Sequence, residues 1–169
     1  MAQSSSRTRP FKLDEIDLNI LDHLQTSSKI TNAMLAEKVG ISPPSTLERV
    51  RKLEQRGIIR GYVALLEPKE LNKSITAIVQ VSLGEHSHEN LTRAKKSIGQ
   101  FDEVLQCWHT AGDQDFVLHV IVSDMLAYET FVTEKLSTVA KIANIKTAMV
   151  LRTVKQTTCI PLDEVNTGD

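Results

Sequence analysis

The stretch from Gly40 to Gly57 limits the folds open to this chain more than any other. Gly40 suits the left-handed residue that ends a preceding helix. Ser42 is a good N-cap, and Pro43 falls at the first helical position, where a missing N–H is harmless. Gly57 closes the segment, so a short helix runs between. Leu47, Val50 and Leu53 recur every third residue and predict a narrow apolar stripe. Ser45, Arg49, Lys52 and Arg56 follow spacings of four, three and four on another face. Hydrogen-bond donors and positive charge on one helix face are what a DNA major groove requires. Glu48 lies three and four residues before Arg51 and Lys52, so a solvated, salt-bridged surface explains part of the same pattern.

The preceding segment decides between these readings. Leu13 to Ser27 reads as a helix capped by Asp14, with Asp17 in its first turn and Leu13, Ile16, Ile20, Leu21 and Leu24 facing inward. Asn32 to Val39 reads as a second, short helix capped by Thr31, with Leu35, Ala36 and Val39 inward. Val39 to Ser42 is short enough only for a sharp turn. Two helices joined in this way, braced by a third, form a helix-turn-helix unit.

Three strings make this specific: Leu13 to Leu21, Leu35 to Ser42, and Leu47 to Glu54 followed by Gly57 to Tyr62. Together they resemble the opening of the Lrp/AsnC (feast/famine) family of transcription regulators, with its spacing kept. The resemblance implies a winged-helix-like DNA-binding domain over residues 13–62. Residues 1–12, polar and Ser-rich without an apolar core, are expected to form a flexible arm rather than a secretory signal.

A formal net charge of −1 speaks against nucleic-acid binding until its distribution is considered. Up to Tyr62 the chain carries ten Lys and Arg against seven Asp and Glu, a balance of +3, and the remainder carries −4. Such a chain meets phosphate with its front part alone. Two distant cysteines, Cys107 and Cys159, give no disulfide framework and suit a reducing cytosol. No run approaches the roughly 18 apolar residues of a membrane span. The expected location is therefore cytoplasmic, on the nucleoid, with no membrane partner.

After a linker over residues 63–73 the period changes. Ile75, Ala77, Val79, Val81 and Leu83 alternate with polar or smaller neighbours and predict a strand. Leu91, Ala94 and Ile98 have helical spacing. Val104 to Thr110 and Asp115 to Val122 read as strands joined by a short hairpin, Asp124 to Val139 as one helix, and Ile142 to Leu151 as a last strand. The order is βαββαβ, so the chain is α+β, with a ferredoxin-like domain over residues 74–163. Two helices cover one sheet face, and a second copy is the simplest cover for the other, predicting a homodimer.

This second domain resembles the family's regulatory domain. Gly112-Asp113-Gln114-Asp115-Phe116 matches its Gly-Asp-aromatic-Asp-Tyr hairpin, with Gln114, Phe116 and Ala111 as departures. The resemblance implies an amino-acid effector at a contact between dimers, and hence a higher oligomer of dimers (tetramer or octamer). The expected effector residues are Gly112, Asp113, Gln114, Asp115, Ser123 and Asp124. Backbone N–H groups at a glycine turn suit a carboxylate, and the aspartates suit an ammonium. Read without the resemblance, Gly112 and Asp113 are ordinary hairpin residues.

The expected DNA-contacting residues are Thr31, Asn32, Ser42, Ser45, Thr46, Arg49, Arg51, Lys52 and Arg56, with Arg49 and Lys52 reaching base edges or phosphates. His86 and His88 flank Ser87 but have no third ligand nearby in sequence, and read as a capping turn. Cys107 beside Trp108 reads as a core thiol. No nucleophile elbow, phosphate loop or zinc spacing is present, so no catalytic site, metal or cofactor is expected. The function that follows is a sequence-specific transcription regulator for double-stranded DNA whose oligomeric second domain senses a small molecule. The alternative is an architectural protein that compacts DNA without an effector.

Overall fold

A computed structural model describes residues 12–139 and 141–163, and the expected arm before Lys12 lies outside them. The chain forms two compact units. Of the described residues, one unit holds 12–65 together with 156–163, and the other spans Leu66–Lys155.

In the first unit, α1 spans Glu15–Thr26, α2 Asn32–Val39 and α3 Pro43–Gln55. Each begins at a side-chain cap. Asp14 accepts from the Asp17 N–H and Asp17 reaches back to the Asp14 N–H, a capping box. Thr31 accepts from the Met34 N–H, and Ser42 from the Ser45 N–H. Gly40 ends α2 at φ +73°, a left-handed conformation that disfavours other residues. The core is small: Ile20, Leu35 and Leu53 are fully or almost fully buried, with Leu13, Ile16, Leu21, Leu24, Ile30, Val39, Val50 and Ile59 around them.

The apolar stripe of α3 is not the expected one. Leu47 is 39 % exposed, whereas Thr46 is fully buried alongside Leu53. The inward positions are Thr46, Arg49, Val50 and Leu53, spaced i, i+3, i+4, i+7, which tracks one side of a 3.6-residue helix. A strict repeat of three drifts around the helix and carries Leu47 out of the core.

Residues 156–163, expected in the second domain, instead pack in the first unit. The Gln25 amide donates to the Ile160 carbonyl at 3.1 Å and accepts from the Ile160 N–H at 2.9 Å. This two-way pairing satisfies both backbone groups of Ile160, as a strand neighbour does. Tyr62 also packs within this unit and donates to Glu54 Oε1 at 3.0 Å. Partial burial and the Glu54 carboxylate raise its phenol to about 12. The folded state therefore holds this proton more tightly than the unfolded chain, whose value is near 10. Stability from this bond is complete below pH 10 and is lost as pH rises towards 12. In a Tyr128→Phe background Tyr62 is the single tyrosine, and ultraviolet titration should show it deprotonating about two units later than free tyrosine. A midpoint at the free value contradicts the Tyr62–Glu54 bond.

The second unit is a four-stranded antiparallel sheet in the order β2-β3-β1-β4. Its strands are β1 Ile75–Leu83, β2 Val104–His109, β3 Phe116–Val122 and β4 Ile142–Met149. Helix α4, His88–Ile98, joins β1 to β2, and α5, Met125–Thr130, follows β3. This is the expected βαββαβ arrangement, because β1 pairs with both β3 and β4. Alternate residues of β1, from Ala77 to Leu83, are buried beside Phe116, Leu118, Val120, Phe131 and Leu136. The opposite face carries Ile78, Gln80, Val117, His119 and Trp108 and is left partly open.

Two expectations change here. The helix expected over 124–139 is α5, then a π turn over Phe131–Lys135 and a 3-10 turn over Leu136–Thr138. The i→i+5 bond from the Leu136 N–H to the Phe131 carbonyl widens this turn and keeps Phe131 and Leu136, five apart, both on the core. Cys107 is exposed rather than a core thiol, because β2 is an edge strand with only one neighbour. Partial desolvation still pushes its thiol up, opposed by the nearby Lys95 charge.

Candidate functional site

Helix α3 provides the candidate nucleic-acid surface. Pro43 at the first helical position and the Ser42 cap define where its N-terminus points. Ser42 and Ser45 are exposed there, with their hydroxyls 2.9 Å apart. The Asn32 amide donates to the Pro43 carbonyl at 2.8 Å and ties the start of α2 to the start of α3. Arg51, Lys52 and Arg56 are exposed on the outer side of α3. Donors at the helix start and cations along its flank are thus presented together.

Two of the expected contact residues sit on the inner side of α3 in this structure. Thr46 has no exposure and donates its hydroxyl to the Ser42 carbonyl at 3.1 Å, so it belongs to the core. Arg49 does not project outward: its Nη1 donates to Asp14 Oδ2 and to Asp17 Oδ1, each at 2.7 Å. Asp17 is almost fully buried and Arg49 is about two-thirds buried. Those hydrogen bonds raise the Arg49 guanidinium above its ordinary value. Asp14 is partly desolvated, which works against ionisation. The Asp17 N–H and the Arg49 guanidinium outweigh this and hold its carboxyl below the ordinary range. The cause of the misplacement is the helical position of Arg49, three after Thr46 and four before Leu53. Nothing in the local sequence pairs it with Asp14, 35 residues away.

The expected effector residues divide between two ends of the sheet. Gly112 to Asp115 lie in the β2–β3 hairpin, and Ser123 and Asp124 follow the far end of β3. The seven residues of β3 separate the two groups by about 23 Å at roughly 3.3 Å per residue. Within one chain they therefore form no joint site. Asp124 caps α5 by accepting from the Ala127 N–H at 2.8 Å, and Ser123 donates to Asp124 at 2.9 Å. Those bonds hold the exposed Asp124 carboxyl below its ordinary value.

The hairpin itself is a knit loop. Ser82 donates to the Asp113 carbonyl at 3.1 Å and to Gln114 Oε1 at 2.9 Å. Thr110 donates to the Gln114 carbonyl at 2.6 Å. Asp115 accepts from the Leu83 N–H at 2.7 Å and lies 3.0 Å from His86 Nε2. Asp115 and Gln114 thus shape the loop, while Gly112 and Asp113 remain exposed at its tip. Gly112, at φ +130°, adopts backbone that a side chain strains. Ser87, between His86 and His88, caps α4 by accepting from the Asn90 N–H, the expected capping turn. The pairing of His86 with Asp115, 29 residues on, has no local signal in the sequence. Among the described residues no cluster of three metal-ligating side chains occurs. Nor is any helix among them long and apolar enough to cross a membrane.

Comparisons with known proteins agree with both units. The profile of the winged helix-turn-helix DNA-binding family matches residues 13–60, and that of the Lrp/AsnC ligand binding domain matches residues 76–160. The leucine-responsive regulatory protein of Escherichia coli (strain K12) is 38 % identical over 152 residues, covering 89 % of this chain and 93 % of that protein. That of Rhizobium meliloti is 38 % identical over 144 residues, 85 % and 92 % of the two chains. Among solved structures, a transcriptional regulator of Neisseria meningitidis in complex with L-Met superimposes with a TM-score of 0.85 at 34 % identity, covering 89 % of this chain and 97 % of that one. An AsnC family regulator of Agrobacterium tumefaciens superimposes with the same score at 36 % identity, over 89 % and 98 %. With a helix-turn-helix unit before a βαββαβ unit, and relatives matched along nearly their whole length, this chain belongs to the Lrp/AsnC family of DNA-binding transcription regulators.

Proposed function

We propose that the chain binds duplex DNA through α3, lodged in the major groove, and that its second unit responds to an amino acid. The observation that carries this is the exposed side of α3, where Ser42 and Ser45 start a helix flanked by Arg51, Lys52 and Arg56. Ser42 and Ser45 touch the groove edge, Lys52 reaches bases or phosphate, and Arg51 and Arg56 hold phosphates. Thr31 and Asn32 fix the start of α2 against the backbone. Residues 13–62 do this work, residues 63–73 link, and the sheet unit assembles the oligomer.

The tip of the hairpin, Gly112 and Asp113, forms the effector contact in company with residues of another subunit. An L-Met complex of a regulator that superimposes at a TM-score of 0.85 supports an amino-acid ligand. The partly open sheet face, with Trp108 46 % exposed, supports assembly as a homodimer and as a higher oligomer of dimers. The protein acts by binding and not by catalysis, in the cytoplasm on the nucleoid.

Fluorescence anisotropy on a duplex from the chain's own upstream region tests this. The double variant Arg51→Ala/Lys52→Ala should weaken binding on every sequence. Its salt slope should fall by roughly two units, at about 0.9 per lost phosphate contact. An unchanged slope refutes the assigned surface. Calorimetry with the common amino acids tests the second half. Heat with at least one, abolished by Asp113→Ala, is expected, and silence across the panel refutes amino-acid sensing.

A further inference from the structure

We propose that Arg49 is a positioning residue for DNA recognition, setting the pitch of α3 against the N-terminus of α1, and that it makes no contact with DNA. This rests on the DNA-binding role of α3 given above. Arg49 occupies the i+3 position of the inward stripe of α3, between Thr46 and Leu53. An arginine there either buries its charge or leaves the core. Here its Nη1 meets Asp14 Oδ2 and Asp17 Oδ1, both at 2.7 Å.

Those carboxylates are held in turn. Asp17 donates its N–H to Asp14 Oδ1 at 2.8 Å, and Asp14 donates its N–H to Asp17 Oδ2 at 3.4 Å. Arg49 thus grips both members of a capping box, a rigid element at the first turn of α1. The guanidinium is planar, so two carboxylates fixed by one helix end define both its place and its tilt. The triad carries one positive and two negative charges, which leaves no surplus cation for a phosphate. Asp17, almost fully buried, has the guanidinium as its countercharge, and releasing Arg49 to DNA would strand it.

Removing a negative charge from a DNA-binding unit ordinarily tightens its grip on phosphate. Here Asp17→Asn and Asp14→Asn should each weaken it, because they loosen α3. Asp14→Asn keeps the helix cap, since asparagine caps as well as aspartate, so it remains informative if Asp17→Asn does not fold. Arg49→Ala should lower affinity roughly ten-fold, within the range seen for residues at specific contacts. Its salt slope should stay that of the wild type, since no counterion-releasing contact is lost.

The experiment is anisotropy of the full chain on the same duplex across a salt series, with circular dichroism to confirm folding. Weaker binding by Asp14→Asn and Arg49→Ala with the slope unchanged is the expected result. Tighter or equal binding by Asp14→Asn, or a slope lowered by about 0.9 in Arg49→Ala, overturns the inference, because Arg49 then reaches phosphate. A wild-type chain that binds no duplex refutes the DNA-binding role itself, which separates the two failures.

Discussion

Leu53→Ala is expected to unfold the N-terminal unit and abolish DNA binding while the sheet unit stays folded. Leu53 has no exposure and packs with Ile20 and Leu35 at the centre of a small core, to which Ala36 adds the one other buried apolar residue among the described residues of this unit. Truncating a buried leucine costs about 2–5 kcal/mol, from the lost transfer free energy and the cavity left behind. A unit this small has little stability in reserve, so a loss of that size is decisive. Scanning calorimetry should show one transition shifted far down or missing, and the other in place. Leu47→Ala provides the contrast. Leu47 is 39 % exposed, so its truncation should move the midpoint little. If the two variants behave alike, the inward stripe of α3 has been wrongly placed.

Asp115→Ala is expected to disorder the hairpin and remove any response to an amino acid. Its carboxylate accepts from the Leu83 N–H at 2.7 Å and from His86, and so joins the loop to the end of β1. Alanine leaves the Leu83 N–H without this partner, which costs about 1–3 kcal/mol at a partly buried site. Hydrogen exchange should quicken at Leu83 and Thr110, whereas the exchange of Val79 and Leu118 in the sheet interior should hold. Asp115→Asn retains an acceptor for the Leu83 N–H and should recover part of the protection. Loss of effector heat in Asp115→Ala with an unchanged hairpin would instead make Asp115 a ligand contact.

Much of the fold is written in local patterns. The caps at Asp14, Thr31 and Ser42, the Gly40 turn and the alternation in β1 each depend on residues within four positions of one another. The strand order followed from the sequence of element types, since short connections admit few topologies. The features that local pattern does not reveal share another cause. Arg49, Thr46 and the segment at Ile160 all depend on partners or packing beyond their immediate neighbours. In α3 the inward stripe contains two polar residues, Thr46 and Arg49, so an apolar period led away from it towards Leu47. In the 124–139 segment a π turn absorbed a residue without any change in apolar pattern.

By itself the sequence determined the family, the two-unit order, the helix-turn-helix and the βαββαβ topology, because period, caps and turn residues act over a few positions. Tertiary structure alone decided which basic residue braces and which faces outward. It also decided that the two halves of the expected effector set lie at opposite ends of β3, and that residues 156–163 return to the first unit. A charge is committed by the nearest opposite charges in space, and for Arg49 those lie 35 and 32 residues away along the chain.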